Sequence, residues 1–146
     1  MKKPVMMALA GLLSVLAGVC GCASLQGGAD PAATVRLKFA AFDRHDVSAI
    51  QGSYADDAVL RSPDNPELAG SAPIGEVYRH IFEVIPDARD EIKSFDQSAD
   101  KVFVQFVMSG HFKGAADQPV KVRIMSIYTV RDGRIVEDVT YYDRKM

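Results

Sequence analysis

The sequence predicts an α+β fold, in which about three N-terminal helices precede a sheet of long antiparallel strands. Apolar residues recur every three or four positions up to about residue 85 and then alternate along extended segments. Asp132 and Gly133 form a hairpin signal between the last two of these segments. The chain has 146 residues, enough for one modest domain and too few for two packed ones.

The first predicted helix begins at Asp30 and Pro31, which supply an N-cap and a first-turn proline, and it ends near His45. Asp46 caps a short second helix, predicted to hold Val47, Ile50 and Tyr54. A third helix begins at Ser71 and ends before Pro86. The apolar face of the first helix consists of Val35, Phe39 and Phe42, and that of the third of Ile74, Val77, Tyr78, Ile81 and Phe82.

Strands are predicted from the period of two in the apolar residues. Their ranges are 58–60, a weak edge strand at 89–95, and long strands at 101–112, 120–130 and 135–142. Turn-forming residues at 62–69 predict a loop. In the strand 101–112, alternation places Val102, Val104, Phe106 and Met108 on one face, and Phe103, Val107 and His111 on the other.

Composition excludes several classes of protein. The chain is 48% hydrophobic and 25% charged with a net charge of −2, which is typical of a globular domain and not of a basic nucleic-acid binder. Two cysteines and three scattered histidines fit neither a disulfide framework nor a zinc site. We therefore expect no metal, no cofactor and no nucleic-acid partner.

The N-terminus has the layout of a secretory signal, with Lys2 and Lys3 followed by an apolar run over 5–19. Residues 19–22 (Val-Cys-Gly-Cys) resemble the end of a bacterial lipoprotein signal, which implies lipidation of Cys22. The predicted organisation is a signal at 1–21, a tether at 22–30 and a domain at 31–146. An uncleaved anchor and plain cleavage after Ala23 are the alternatives. Location in the cell envelope follows, with the outer membrane facing the periplasm preferred over the inner membrane.

Several short motifs together resemble the SnoaL-like branch of the nuclear transport factor 2-like superfamily. They lie at 42–46 (FDRHD), 54–60 (YADDAVL), 70, 74–78, 86–87, 110–114 (GHFKG), 132–137 (DGRIVE) and 141–143. The resemblance covers about 110 residues in the family's order. It implies a cone-shaped, curved antiparallel sheet wrapped by helices (the cystatin-like fold), a deep apolar pocket and a homodimer.

The resemblance also suggests site residues. The three positions that carry the ketosteroid isomerase machinery hold Lys38, Ser62 and Ser126 here, which argues against that activity. His111 occupies the position of the polyketide cyclase histidine and is the candidate acid/base. The predicted pocket residues are Tyr54, Tyr78, Phe82, Met108, Ser126 and Tyr128.

The sequence thus predicts an exported, lipid-anchored domain that binds a small apolar molecule, such as a polyketide or a steroid. Two alternatives stay open. One is a cyclase, isomerase or lyase that uses His111, with Tyr78 or Ser126 as a hydrogen-bond donor. The other is an envelope interaction protein with a non-functional pocket. Whether the protein is an enzyme is not decided by the sequence.

Overall fold

The computed structural model describes residues 29–143, which form an α+β fold with a curved, unclosed sheet. The helices are α1 (Pro31–Asp43), α2 (Val47–Gly52) and α3 (Ser71–Val84). The strands are β1 (Tyr54–Arg61), β2 (Leu68–Ala69), β3 (Arg89–Ser98), β4 (Lys101–Phe112), β5 (Ala115–Arg131) and β6 (Arg134–Tyr142). They join in the order β2-β1-β6-β5-β4-β3, so the predicted edge position of β3 is confirmed.

The helix starts follow from local chemistry. The Asp30 side chain accepts a hydrogen bond from the backbone N–H of Ala32 at 3.2 Å, and that of Asp46 accepts one from Ala49 at 2.9 Å. Helix α3 begins after Gly70, whose φ of +103° is strained for any residue with a Cβ. Both predicted aspartate caps are therefore confirmed.

Several details differ from the sequence prediction. The end of the predicted loop at 62–69 forms β2, and β5 begins at Ala115 rather than at residue 120. Tyr54 begins β1 rather than ending α2, because the backbone N–H of Ile135 bonds the Ser53 carbonyl at 2.8 Å and draws the chain into the sheet. Strand β1 then pairs with β6 in parallel, with Leu60 opposite Asp138. The sheet is consequently mixed, although its remaining strand pairs are antiparallel as predicted.

Strand register sorts the side chains onto two faces. Residues directly opposite each other share a face, and on the helix-covered face β4, β5 and β6 align in three rows: Val102, Tyr128 and Asp138; Val104, Ser126 and Thr140; and Phe106, Ile124 and Tyr142. Helix α1 packs on these rows, with the Phe39 ring 4.9 Å from that of Phe106. The outer face carries partly exposed apolar residues, namely Phe103, Met125, Ile127 and Val139.

The predicted signal, Cys22 and nearly all of the predicted tether lie outside the described residues. Within residues 29–143, none of the helices combines the length and apolar character needed to cross a bilayer.

Candidate functional site

A cavity of about 1150 Å³ lies between the helices and the helix-covered face of the sheet. Exposed polar residues, among them Glu76 and His80 of α3, form its mouth. Its walls are mainly apolar and consist of Phe42, Leu60, Leu68, Ile81, Phe106, Met108, Val122 and Ile124. This combination of volume and lining is typical of a small-molecule site.

Lys38 of α1 lies at the deep end of the cavity and is only 2% exposed. Its Nζ donates a hydrogen bond to the Tyr128 hydroxyl at 3.3 Å and lies 4.9 Å from the centre of the Tyr78 ring. The Phe39 ring centre is 4.4 Å away. Aromatic faces attract a cation, so these rings partly replace the water that the ammonium has lost.

The ammonium charge is retained in spite of burial. Burial by itself lowers the pKa of Lys38, but the hydroxyls of Tyr128 and Tyr78 and the carboxyl groups of Asp90 and Asp138 raise it well above its ordinary value. The cavity therefore ends in a buried positive charge.

Asp90 of β3 brings a carboxyl group to the same cavity. It pairs with Met108 across the sheet, which places both residues on the cavity face. Its backbone N–H bonds the Asp43 side chain at 3.3 Å, but its own Oδ1 is buried and has no hydrogen-bond partner among the described residues. Burial raises the pKa of Asp90 to about 7, while Lys38 opposes the rise and Asp43 adds to it.

A second carboxyl group, that of Asp138, lies behind the cavity wall, and both of its oxygens accept hydrogen bonds. Its Oδ2 accepts a hydrogen bond from the Tyr54 hydroxyl at 2.7 Å, and its Oδ1 accepts one from Thr140 at 2.8 Å. The Tyr54 and Tyr78 hydroxyls are 2.9 Å apart. Burial raises the pKa of Asp138, and Lys38 and these hydrogen bonds oppose the rise. The network fixes the orientation of Tyr78 at the cavity surface.

Four of the predicted pocket residues line the cavity: Tyr78, Met108, Ser126 and Tyr128. Tyr54 and Phe82 are not among the lining residues. Tyr54 is fully buried behind the wall, where Tyr78 and Asp138 hold its hydroxyl. Phe82 lies one turn beyond Tyr78 and packs against the rings of Phe42 and His45, with centroid distances of 4.9 and 4.3 Å.

His111 lies on the surface near the end of β4, outside the cavity lining. Its backbone N–H donates to Asp87 Oδ1 at 2.7 Å, and its ring Nδ1 lies 2.7 Å from Asp87 Oδ2. The side-chain hydrogen bond from His111 lowers the pKa of Asp87. This contact fastens the α3–β3 turn to β4, and an acid/base role for His111 stays a prediction.

Sequence reasoning did not select the charged groups at the deep end, although two signals were present. Lys38 lies three residues after Val35 and four before Phe42, so helical spacing places it on the apolar face of α1. Asp138 and Thr140 share strand parity with Tyr142, which faces the cavity. Asp90 gave no comparable signal, because β3 is polar along most of its length.

Among residues 29–143, no cluster of three or more His, Cys, Asp or Glu side chains is arranged to hold a metal ion.

Several solved structures have a fold similar to that of this chain. AclR of Streptomyces galilaeus has 24% identity and a TM-score of 0.71, covering 81% of each chain. A Catenulispora acidiphila protein with a ketosteroid isomerase-like fold, solved with trimethylamine, has 22% identity and a TM-score of 0.69, covering 76% of this chain and 85% of its own. IdmH of Streptomyces antibioticus, a candidate polyketide cyclase, has 24% identity and a TM-score of 0.66, covering 78% and 92%.

At these identities the likenesses show the fold alone. No protein with a curated functional description matches the chain in sequence. The SnoaL-like domain family, in contrast, matches residues 35–138, which include both Lys38 and Asp90 and most of the sheet. The chain therefore belongs to the SnoaL-like domain family.

Proposed function

We propose that the cavity binds a small, largely apolar molecule whose carbonyl or hydroxyl oxygen reaches Lys38 and Tyr128. The observation that carries the proposal is the shape and polarity of the cavity: apolar walls lead from an open mouth to a buried ammonium. Such a site orients an apolar ligand by its single polar end. A volume of about 1150 Å³ suits a molecule of several fused rings, such as a polyketide or a steroid.

Native mass spectrometry of the full chain, extracted from its own host, tests this proposal. Ile124→Trp should fill the cavity and remove a co-purifying small molecule, because Ile124 lines its wall. Gln105→Trp is the matched control, since Gln105 is exposed on the outer face of the neighbouring strand. An empty wild-type chain that also takes up no apolar ketone or alcohol contradicts the proposal, as does equal occupancy in both variants.

Export and lipid anchoring form the second part of the proposal. They rest on the sequence of residues 1–22, where a basic start and an apolar run precede Cys22. The thiol of Cys22 would carry the lipid, and two or more acyl chains suffice for stable anchoring. Cys22→Ser should move the protein from the membrane fraction to the soluble fraction, whereas Cys20→Ser should not. Unchanged membrane association of Cys22→Ser contradicts lipidation.

A homodimer through the outer face of the sheet is the third part. Phe103, Met125 and Ile127 expose apolar surface there, and Arg123 stands beside them as an exposed charge. Met125→Lys should convert a dimer to a monomer in size-exclusion chromatography with light scattering. A monomeric wild-type chain contradicts the homodimer and favours the alternative in which this face contacts another envelope protein.

Proton transfer on a bound carbonyl compound is the second candidate function. The observation that favours it is the presence of a protonated amine and a partly buried carboxyl group in one cavity. His111 was the acid/base that the sequence suggested, and His111→Ala should abolish turnover if that residue performs the transfer. The position of His111 outside the lining directs attention to the cavity's own groups.

A further inference from the structure

Asp90 is a carboxyl group in the cavity wall with an unsatisfied oxygen. Its backbone N–H bonds the Asp43 side chain at 3.3 Å, which fastens β3 to the end of α1 at this point. Buried carboxyl oxygens normally accept hydrogen bonds, yet Oδ1 of Asp90 has no partner among the described residues. Tyr54 and Thr140 donate their hydroxyl hydrogens to Asp138, so these donors are not available to Asp90.

The described neighbours of Asp90 in the cavity do not supply the missing hydrogen bond. Met108, which pairs with Asp90 across the sheet, presents a thioether that cannot donate. Lys38 acts on Asp90 electrostatically, and its described hydrogen bond goes to Tyr128 instead. An acceptor and a positive charge thus border the same cavity, and the group that completes the acceptor comes from outside the chain.

We infer that Asp90 selects ligands whose polar end carries a hydroxyl group, so that an aliphatic alcohol binds in preference to the matching ketone or ether. This inference rests on the binding proposal above and narrows the ligand's carbonyl or hydroxyl oxygen to a hydroxyl. The hydroxyl donates its hydrogen to the Asp90 carboxylate, and a ligand oxygen accepts a hydrogen bond from the Lys38 ammonium. In this role Asp90 determines specificity, and no covalent bond forms or breaks.

Other polar groups fit these two charges less well. A ketone or ether oxygen has lone pairs only, so it leaves the buried Asp90 oxygen unsatisfied. An ammonium group would add a second cation beside Lys38, and a carboxylate would add a further anion beside Asp90. A hydroxyl is neutral, and it both donates and accepts. It therefore satisfies Asp90 without changing the charge balance of the cavity.

The experiment compares ligands that differ in one group: 2-tetralol, 2-tetralone and 2-methoxytetralin, and the same three groups on the steroid androstane. Isothermal titration calorimetry measures their binding to the full chain in detergent at pH 8. Hydrogen bonds to a charged group are the stronger ones, so we expect wild type to bind the alcohol about tenfold more tightly than the ketone or the ether. Partition of a ligand into micelles is the same for wild type and variants and cancels when they are compared.

Two substitutions separate the effect of Asp90 from that of the rest of the cavity. Asp90→Asn replaces the carboxylate by an amide that can donate to a ketone as well as accept from an alcohol, so the preference for the alcohol should fall to about one. Asp56→Asn is the matched control, because the Asp56 side chain is 97% exposed, and it should keep the wild-type preference. Circular dichroism shows whether each variant is folded.

The pH profile of wild type tests the same contact without a variant. Burial raises the pKa of Asp90 to about 7; on α1, Lys38 lowers it and Asp43 raises it further. From β4 the facing residue is Met108, which does not titrate. A ligand that donates to the carboxylate binds the ionised form of Asp90 more tightly. The affinity of the alcohol should therefore rise about fivefold from pH 6 to pH 8, while that of the ketone stays nearly constant.

The outcomes separate the two proposals. Absence of binding by every compound of both series contradicts the binding proposal and the inference with it. Binding of alcohol, ketone and ether with equal affinity agrees with the binding proposal and overturns the inference alone, since water then satisfies Asp90 as well as a ligand hydroxyl does. A preference for the alcohol that Asp90→Asn retains, or that does not change with pH in wild type, also overturns the inference, because the hydroxyl then has another partner.

Discussion

Replacement of Asp90 by asparagine should remove the part of the pH dependence of the free energy of unfolding that comes from titration of Asp90. Asp90 has a pKa of about 7 in the folded chain, against 3.8 for an unperturbed aspartate, mainly because of burial. Between these values the folded chain binds a proton that the unfolded chain has released. The free energy of unfolding must therefore fall as pH rises from about 4 to above 7.

The size of the effect follows from the same two values. At about 1.4 kcal/mol per pKa unit, a rise of roughly three units corresponds to about 4 kcal/mol over the full range and to about 3 kcal/mol between pH 4.5 and pH 8. An asparagine side chain cannot titrate, so Asp90→Asn lacks this loss of stability. Between pH 4.5 and pH 8 the free energy of unfolding of wild type should therefore fall by about 3 kcal/mol relative to that of the variant. Asp138, whose pKa is also raised, contributes to both proteins and cancels in the difference.

Urea denaturation followed by circular dichroism at pH 4.5, 6, 7 and 8 measures this difference. Asp56→Asn is the matched control, because the Asp56 side chain is 97% exposed, and its difference from wild type should stay within about 0.5 kcal/mol at each pH. A pH-independent difference between wild type and Asp90→Asn would refute the argument, since it would mean that Asp90 titrates equally in the folded and unfolded chains.

Further substitutions test the network and the packing. Tyr54→Phe removes hydrogen bonds to Asp138 and Tyr78 and should cost about 1–3 kcal/mol in urea denaturation, whereas Tyr141→Phe, at an exposed side chain, should cost under about 0.5 kcal/mol. Gly110→Ala should cost about 1–3 kcal/mol, because its Cβ would collide with Ile85 and lie 2.9 Å from the Asp87 carboxyl. Gly52→Ala meets nothing within 4 Å, and a melting temperature equal to that of Gly110→Ala would contradict the steric argument.

Periodicity was sufficient to predict most of the fold. The bounds of β4 and the start of α3 agree with the prediction, because alternation and helical spacing are strong in those segments. The prediction that Tyr54 belongs to the second helix was wrong. Tyr54 pairs with Ile135, about 80 residues away, and the spacing of neighbouring residues carries no information about such a contact. The parallel pairing of β1 with β6 has the same origin.

The candidate site was predictable only where side-chain parity determines it. Tyr128, Ser126 and Met108 follow from the register of two regular strands, and the structure places all three on the cavity surface. In β4, His111 lies three residues after Met108, and side chains alternate along a strand, so the two residues face opposite sides of the sheet. Asp90 lies in a polar edge strand with a bulge after Ile92, and only the folded sheet shows which of its residues face inward.

The charges at the deep end also restrict which ligands fit. Lys38 is one buried cation beside two carboxyl groups whose pKa values are raised by burial, and Asp90 changes charge near neutral pH. A carboxylate ligand would add another anion next to Asp90, and its binding would then require Asp90 to take up a proton. A neutral carbonyl oxygen needs no such compensation and still accepts a hydrogen bond from Lys38. The affinity of a neutral ketone should therefore change little between pH 6 and pH 8, while that of the matching carboxylic acid should fall toward tenfold per pH unit above pH 7. Calorimetry of the two ligands in buffers of different ionisation enthalpy measures this proton uptake directly, and equal pH dependence for both would show that Asp90 does not sense the bound molecule.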